Sequence, residues 1–317
     1  MSQIQKSDNF HQIIILGCGP SSLSAAVQLI RVEIPILMIA DEIGGLVQNA
    51  NLIENLVGFP DGVTGKKFVE MMKETIRKFQ IPLIQEKVLY VERKIPVFRI
   101  QTQHQLFTSE YLIIGTGTTP NHLNIPGEQR AFQNRLLFYD LYAFTPPKKP
   151  MTIGIIGNGD AAYDYALNLA NYNYKIVILQ RGKLTKALPL LVRRVSENSN
   201  ITVIPDIQAQ ELKHTSNSVK ILMETPTGMD TKQFNRIFVA IGRSPNLSFL
   251  TSELLQLYLS NHSIDSNSQI ERKSIADQEK IWFIGDAKNK NIRQIAVAMG
   301  DGIKVAMQIS NIIRTKK

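Results

Sequence analysis

One cysteine, Cys18, stands in 317 residues. That excludes an intrachain disulfide, a C-x-x-C redox pair and any multi-cysteine metal site. Cys18 itself reads as a small packing residue. The five histidines, His11, His104, His122, His214 and His262, are scattered without ligand spacing, so no metal is expected. No apolar run approaches the ~20 residues of a membrane span. Residues 1–10 are polar and mixed, without the apolar core of a signal peptide. The expectations are a cytoplasmic protein and no membrane partner. No basic stretch is interleaved with aromatics, so nucleic acid is not an expected partner. Acidic residues are the minority: 27 Asp and Glu against 36 Lys and Arg leave a net charge of +9, which favours acidic partners. A hydrophobic content of 44% with 20% charged residues argues against extensive disorder. The length suits about two domains.

What is present is a doubled glycine turn. Ile13-Ile14-Ile15-Leu16 is an apolar run suited to a buried parallel strand. Gly17-Cys18-Gly19-Pro20-Ser21-Ser22 follows, then a stretch with apolar residues at helical spacing, and a second apolar run that ends at Asp41. In such a strand–turn–helix the glycines let backbone approach a pyrophosphate, whose charge sits at the helix N-terminus. An acidic residue about 20 positions on can take a ribose hydroxyl pair. Ser22 stands where a third glycine or alanine is usual and is small enough for close helix–strand contact. The device recurs at Thr152 to Ile156, Gly157-Asn158-Gly159-Asp160-Ala161-Ala162 and the helix-patterned residues after it, with a closing strand that ends at Gln180-Arg181. Gly17 stands as far from Asp41 as Gly157 does from Arg181. The exits repeat too, as Ile114-Gly115-Thr116-Gly117 with Pro120-Asn121, and Ala240-Ile241-Gly242-Arg243 with Pro245-Asn246. Two nucleotide sites follow.

Between them, Gly44-Gly45 permits close approach to a flat ligand. Residues 66–79 have a helical apolar face, and residues 81–86, 87–93, 97–101, 105–109 and 111–114 read as short strands. Residues 122–134 look like a linker, and Thr145-Pro146-Pro147-Lys148-Lys149-Pro150 is a stiff spacer. Residues 247–277 are polar with one helical patch at 254–259. The last signal is Ile281-Trp282-Phe283-Ile284-Gly285-Asp286, then a basic loop with Lys288, Lys290 and Arg293, then a helical period over 295–313. Asp286, at a strand end before a helix, suits hydrogen bonding to a ribityl chain; Trp282 reads as core. Because this C-terminal segment supplies what the first unit lacks, the expected fold is α/β. It has two Rossmann-like, three-layer domains, a discontinuous one over 1–121 and 247–317 and an inserted one over 122–246.

In this ordered combination the chain resembles the low-molecular-weight thioredoxin reductase family of flavoproteins over nearly its whole length. The residues that carry the likeness are Gly17-x-Gly19-Pro20, Gly44-Gly45, Ile53-Glu54-Asn55 with Gly58-Phe59-Pro60 and Gly65, Gly157-x-Gly159-Asp160-x-Ala162, the run from Ala240 to Asn246, and Gly285-Asp286 with Arg293-Gln294. The resemblance implies FAD in the discontinuous domain, NADPH in the inserted one, and a homodimer. For FAD it implies Gly17, Gly19, Pro20, Ser21 and Ser22 at the pyrophosphate, and Asp41, or Glu42 if the strand ends later, at the ribose. Gly44, Gly45 and Asn55 would lie beside the flavin, Val88 near adenine, and Thr116 and Gly117 over the pyrophosphate. Asp286 would take ribityl or phosphate contacts, and Arg293-Gln294-Ile295 would open the last helix toward the flavin's pyrimidine edge. Leu46 replaces the family's glutamine after the glycine pair, with Gln48 nearby as a substitute. For NADPH it implies Gly157, Gly159, Asp160, Ala161 and Ala162 at the pyrophosphate, and Gly242 and Arg243 at the exit turn. Arg181, with Lys186 close behind, stands in place of the acid that would select NAD and suits a 2′-phosphate.

The departures shape the functional expectation. Thioredoxin reductases carry a C-x-x-C just before the second nucleotide unit; here that stretch is Leu136-Leu137-Phe138-Tyr139-Asp140. Disulfide exchange needs a thiolate, so ordinary thioredoxin reduction is excluded. Asp140 remains open between a proton relay and a turn or N-cap role; no catalytic side chain is otherwise assigned. A sister group, the thioredoxin reductase-like ferredoxin (or flavodoxin)–NADP reductases, also lacks those cysteines and is similar at residues 137–144 and 157–167. Those enzymes extend past the last helix with a tail over the flavin, whereas this sequence ends at Lys317, so it stands between the two groups. The resemblance therefore implies electron transfer from NADPH through FAD to an acidic carrier, ferredoxin or flavodoxin. The alternatives are an NAD(P)H oxidase or small-molecule disulfide or quinone reductase, and a non-catalytic flavin- or nucleotide-sensing protein.

Overall fold

The structure is a computed structural model and describes residues 9–263, 280–289 and 292–315. Residues 1–8, the larger part of the polar stretch after 263, and Lys290 of the basic loop lie outside the described residues. The chain divides into two compact units. The first comprises Met1–Val47, Glu54–Thr119 and Pro245–Lys317; the second comprises Gln48–Ile53 and Pro120–Ser244. The short segment Gln48–Ile53 thus groups with the second unit, whereas the sequence pattern assigns all of 1–121 to the first.

In the first unit, β1 (Phe10–Leu16), α1 (Pro20–Arg31), β2 (Ile36–Ile39), α2 (Gly65–Lys78) and β3 (Leu83–Ile84) precede a meander of β4 (Val88–Lys94), β5 (Val97–Thr102) and β6 (Leu106–Ile114). The sheet order is β3-β2-β1-β6-β5-β4. β1 is parallel to both β2 and β6, with Leu16 level with Ile39 and Ile114. The sequence suggests two strands over 105–114; the structure has one, because its first half pairs with β5 and its second half with the C-terminal strand described below. Ile13 to Leu16 and Leu112 to Ile114 are fully buried, as continuous apolar strands covered on both faces must be. After β6, β7 (Thr118–Pro120) leads into the second unit.

The second unit begins with α3 (Glu128–Gln133), which replaces the linker expected over 122–134. Glu128, not an apolar stripe, makes this turn helical: its carboxylate accepts the backbone N–H groups of Leu123 and Asn124, each at 2.7 Å. Then come β8 (Leu137–Phe138), β9 (Thr152–Ile156), α4 (Asp160–Ala170), β10 (Lys175–Leu179), α5 (Pro189–Ser196) and β11 (Ile201–Ile204). They are followed by β12 (Gln208–His214), β13 (Val219–Thr225), β14 (Gly228–Phe234), β15 (Arg236–Val239) and β16 (Arg243–Pro245). The parallel sheet runs β11-β10-β9-β15-β8, and β12-β13-β14 form a separate antiparallel sheet. Ile153, Ile155 and Phe238 pack with Tyr165 and Ala166 of α4. Ile156, Ile237 and Val239 pack with Val219, Ile221 and Phe234 of the antiparallel sheet. Three layers result. Strands β12 to β14 escape sequence reading because each is half exposed and carries charges in alternation, as in Gln208–His214.

The chain returns to the first unit through β16, which pairs with β7. There α6 (Ser252–Ser263), β17 (Ile281–Phe283) and α7 (Ile295–Thr315) complete it. The nominally polar stretch after 246 opens with Leu247, Phe249, Leu250 and Leu254, all in the core. β17 lies parallel to β6, with Phe283 level with Ile114. α7 crosses α1 so closely that a Cβ on Gly302 would lie 2.0 Å from the Ser21 carbonyl oxygen. Among the described residues no helix is long and apolar enough to cross a membrane.

Candidate functional site

Three parallel strands of the first unit end level at Leu16, Ile114 and Phe283, and each is followed by a glycine turn. The carboxyl edge of such a sheet is where ligands of this architecture bind. Gly17 has φ +94°, and a Cβ there would lie 2.4 Å from the Gly115 carbonyl oxygen, so no side chain fits. Gly19 is the N-cap of α1, Pro20 follows at N1, and no side chain caps the helix. A Cβ on Gly19 would meet nothing within 4 Å. The N-terminus of α1 is therefore uncapped by any side chain and has room at Gly19, an arrangement suited to an anion.

The two serines of this turn are buried. Ser22 is fully buried, and its hydroxyl donates to the Gly115 carbonyl at 3.4 Å. The Ser21 hydroxyl lies 2.5 Å from where a Gly285 Cβ would stand. The Ser22 hydroxyl is thereby committed to the fold. The Gly44 N–H donates to the Cys18 carbonyl at 2.8 Å, which draws the glycine pair to the turn. Asp41 is exposed just past β2, with Glu42 half-buried beside it. The Thr116 hydroxyl donates to the Asn246 carbonyl at 2.8 Å, and Gly117 has φ +64° with open space around it. Asp286 is half-buried in the turn after β17, next to Gly285. The Asn55 amide donates to the Gln294 side chain. Gln294 in turn accepts from Ala298 as α7 begins, so Asn55 sits at the mouth of that helix, beside Arg293 and Ile295. Val88 opens β4 and packs against the core, four residues after Ile84, the partner of Ile39. Leu46 belongs to the first unit, whereas Gln48, its suggested substitute, groups with the second.

The second unit repeats the geometry. A Cβ on Gly157 would lie 2.4 Å from the Ala240 carbonyl oxygen and one on Gly159 would be clear of any neighbour within 4 Å. Gly159 is the N-cap of α4 and again no side chain caps it. Ala162 is fully buried against the sheet, and Ala161 is exposed. Asp160 turns its carboxylate aside: it accepts the Leu188 N–H at 2.7 Å. Arg181, Lys183 and Lys186 are exposed on the loop past β10. Gly242, with φ +105°, is seated beside the Asn121 amide.

Asp140 lies at the carboxyl end of β8 and has one carboxylate oxygen engaged. That oxygen accepts from the Asn49 amide and from the Arg243 guanidinium, each at 2.8 Å. The Asn49 carbonyl oxygen accepts the Tyr142 N–H at 3.2 Å, and the Asn51 N–H donates to Asp164 at 3.2 Å. These bonds explain why Gln48–Ile53 groups with this unit. Arg243, which the resemblance places at the NADPH exit turn, thus has one nitrogen committed to Asp140. Burial, with Asp140 as the next cause, pushes the Tyr165 phenol above its ordinary value.

One constellation had no sequence signal. The Tyr139 hydroxyl donates to buried Glu128 at 2.7 Å and accepts from His122 Nδ1 at 2.7 Å. Burial and then Glu128 push this phenol far up. The three residues are scattered singly in the chain and meet only because α3 folds back on β8.

A chain with two such cradles, each at the carboxyl edge of its own parallel sheet, is a dinucleotide-binding protein of the doubly wound class. The pyridine nucleotide-disulphide oxidoreductase model matches residues 11–302, and the chain belongs to that family. It is 25% identical over 319 residues to a thioredoxin reductase of Neurospora crassa, covering 95% of this chain and 93% of that protein. It is 27% identical over 322 residues to that of Eremothecium gossypii, covering 96% and 98%. The crystal structure of Lactococcus lactis thioredoxin reductase in its FR conformation superposes with a TM-score of 0.82 at 24% identity, covering 96% of this chain and 99% of that one. FAD and NADPH are the cofactors of this type of oxidoreductase. The open Gly19 and Gly159 backbones, and the carbonyl contacts that keep Gly17 and Gly157 bare, fit such dinucleotides.

Proposed function

We propose that this protein passes electrons from NADPH through FAD to an acceptor outside the chain, an acidic carrier of the ferredoxin or flavodoxin kind. The observation that carries this reading is the cysteine: Cys18 is the only one. It is buried in the first glycine turn, and burial pushes its thiol up to about 12. A thiol held protonated is no exchange nucleophile, so electrons leave without passing through sulfur of this chain. The net charge of +9 supports an acidic partner.

Within each unit the roles follow from placement. Gly17, Gly19, Pro20 and the backbone of Ser21 and Ser22 would hold the FAD pyrophosphate, with Asp41 or Glu42 at the ribose and Thr116 and Gly117 beside them. Asp286 would orient the ribityl chain. Asn55, fixed by Gln294, would lie with Gly44 and Gly45 along the flavin, and the N-terminus of α7 would favour its negative charge. Gly157, Gly159, Ala161 and Ala162 would hold the NADPH pyrophosphate, with Arg181 and Lys186 at the 2′-phosphate. Bound there, FAD would supply the chemistry of accepting a hydride from NADPH and delivering electrons singly or as a pair. Asp140, held by Asn49 and Arg243, orients the strand end at the edge of the second sheet. The protein works in the cytoplasm as a homodimer. Support for the dimer comes from α7, whose exposed Val297, Gly300, Ile303 and Met307 recur at helical spacing.

The test compares NADPH-driven cytochrome c reduction with and without ferredoxin or flavodoxin, at low and high salt. A rate that requires the carrier and falls with salt supports the reading. A carrier-independent rate sinks it in favour of the second reading, reduction of a small disulfide or quinone, which the family's disulphide chemistry keeps in view. Yellow protein that fails to bleach with NADPH leaves only nucleotide sensing.

A further inference from the structure

We infer that Asp301, together with Tyr258, is a positioning residue of the first unit: it ties the turn that carries Asp286 to α7 and thereby sets how slowly the protein releases its FAD. The inference rests on the reading of Asp286 as a ribityl contact. It goes beyond that reading because Asp301 and Tyr258 belong neither to the glycine turns nor to the residues proposed to touch FAD.

The turn after β17 is held from three helices. The Ile284 N–H donates to the Ile114 carbonyl at 2.9 Å, which keeps the strand end at the carboxyl edge of the sheet. At Gly285 φ is +62°, and a Cβ would lie 2.5 Å from the Ser21 hydroxyl oxygen and 3.7 Å from the Ala298 Cβ, so the turn is wedged between α1 and α7. The Gly285 carbonyl accepts the N–H groups of Lys288 and Asn289, each at 2.9 Å. The Ala287 carbonyl accepts the hydroxyl of Tyr258, on α6, at 2.9 Å. The buried Tyr258 ring meets Phe283 edge-on, with centroids 4.9 Å apart. Asp301, in the second turn of α7, completes the arrangement. One of its carboxylate oxygens accepts from Lys288 Nζ at 2.9 Å, and the other accepts from the Asn289 side-chain amide.

The Asp301 side chain is 13% exposed and that of Lys288 39%. A carboxylate taken this far from water costs stability unless its oxygens are served, and here both are. The backbone bonds to the Gly285 carbonyl already close the turn. A largely buried carboxylate bound across it therefore adds rigidity and not closure. What that rigidity fixes is Asp286, which is half-buried and stands between two held residues, Gly285 and Ala287. A group set in place before its ligand arrives loses less entropy on binding, so Asp301 and Tyr258 act on the flavin through Asp286.

The test is the rate of FAD release from the holoprotein, followed by the recovery of flavin fluorescence. Asp301→Asn keeps the side-chain shape and removes its charge. Release is expected to quicken about tenfold, the effect of one charge-assisted hydrogen bond. Lys288→Gln, at the more exposed partner, is expected to do the same and keeps the test open if Asp301→Asn does not fold. Lys288→Arg is expected to keep the wild-type rate, and Tyr258→Phe to quicken release about fivefold. Asp286→Asn quickens release by itself, and adding Asp301→Asn to it changes the rate by less than about twofold, because residues that act through one contact are not additive. A merely structural role gives the full change in both backgrounds, and that result overturns the inference. So does a wild-type rate in Asp301→Asn and Lys288→Gln when Asp286→Asn is faster. An Asp286→Asn variant that releases FAD at the wild-type rate removes the reading of Asp286 itself.

Discussion

At Gly17 and Gly157 a single hydrogen decides whether the turn can form. A Cβ at either would stand 2.4 Å from a carbonyl oxygen of the neighbouring strand exit, Gly115 or Ala240. Rigid backbone on the far side leaves no cheap relief. Gly17→Ala is expected to destabilise the first unit by about 3 kcal/mol and to yield protein depleted in flavin, read from the visible absorbance of the purified material. Cys18 carries the opposite lesson. Burial disfavours the thiolate, so the folded thiol ionises only toward about 12. Its contribution to stability is therefore complete at neutral pH and lost as the pH climbs through the alkaline range to that value. Folded protein is expected to leave Cys18 unlabelled by a thiol reagent near neutral pH, and urea-unfolded protein to react with one equivalent. Rapid labelling of the native state would contradict the burial argument. Both residues were legible in the sequence as members of a glycine turn. That the Ser22 hydroxyl is spent on the Gly115 carbonyl and that Ser21 packs against Gly285 and Gly302 was not, because those partners are distant in the chain.

Among the elements, α3 and β8 illustrate structure held by polar contacts where apolar periodicity is weak. Glu128, at 5% exposure, has two backbone donors and the Tyr139 hydroxyl around its carboxylate. Tyr139→Phe removes one of these from a buried carboxylate, so a loss of about 1–2 kcal/mol is expected in urea unfolding. An unchanged midpoint would show that water replaces the hydroxyl. The pair formed by Asp140 and Arg243 has side chains 16% and 18% exposed. Breaking it on one side leaves a largely buried charge, which costs more than the pair itself contributes. Asp140→Asn is expected to cost about 2 kcal/mol, and the double variant Asp140→Asn with Arg243→Gln to recover part of it. Additive losses would mean that the two residues act separately. Helices with an apolar stripe, α2 and α7, and the strands buried on both faces were readable from periodicity. The half-exposed strands β12 to β14 and the short α3 were not, since their stabilising partners come from other elements.

For the molecule as a whole, the predictions concern charge and electron flow. With 36 cationic against 27 acidic side chains, the rate of electron delivery to an acidic carrier is expected to fall as salt shortens the Debye length from about 10 Å at 0.1 M toward about 3 Å at 1 M. A small neutral acceptor should show no such dependence, and stopped-flow measurements at a series of ionic strengths separate the two. The sequence by itself determined that two glycine turns open two parallel sheets, that the last strand and helix return to the first of them, and that one cysteine leaves no dithiol to relay electrons. Those features are local: each depends on residue type within a strand, a turn and the first turn of a helix. Only the tertiary structure decided that residues 48–53 leave the first unit for the second and that Asp140 is held by Asn49 and Arg243. It also decided that Tyr258 and Asp301 tie the turn of Asp286 to α6 and α7. These depend on hydrogen bonds between groups far apart in the chain, and no local pattern encodes which distant partner a buried polar side chain will meet.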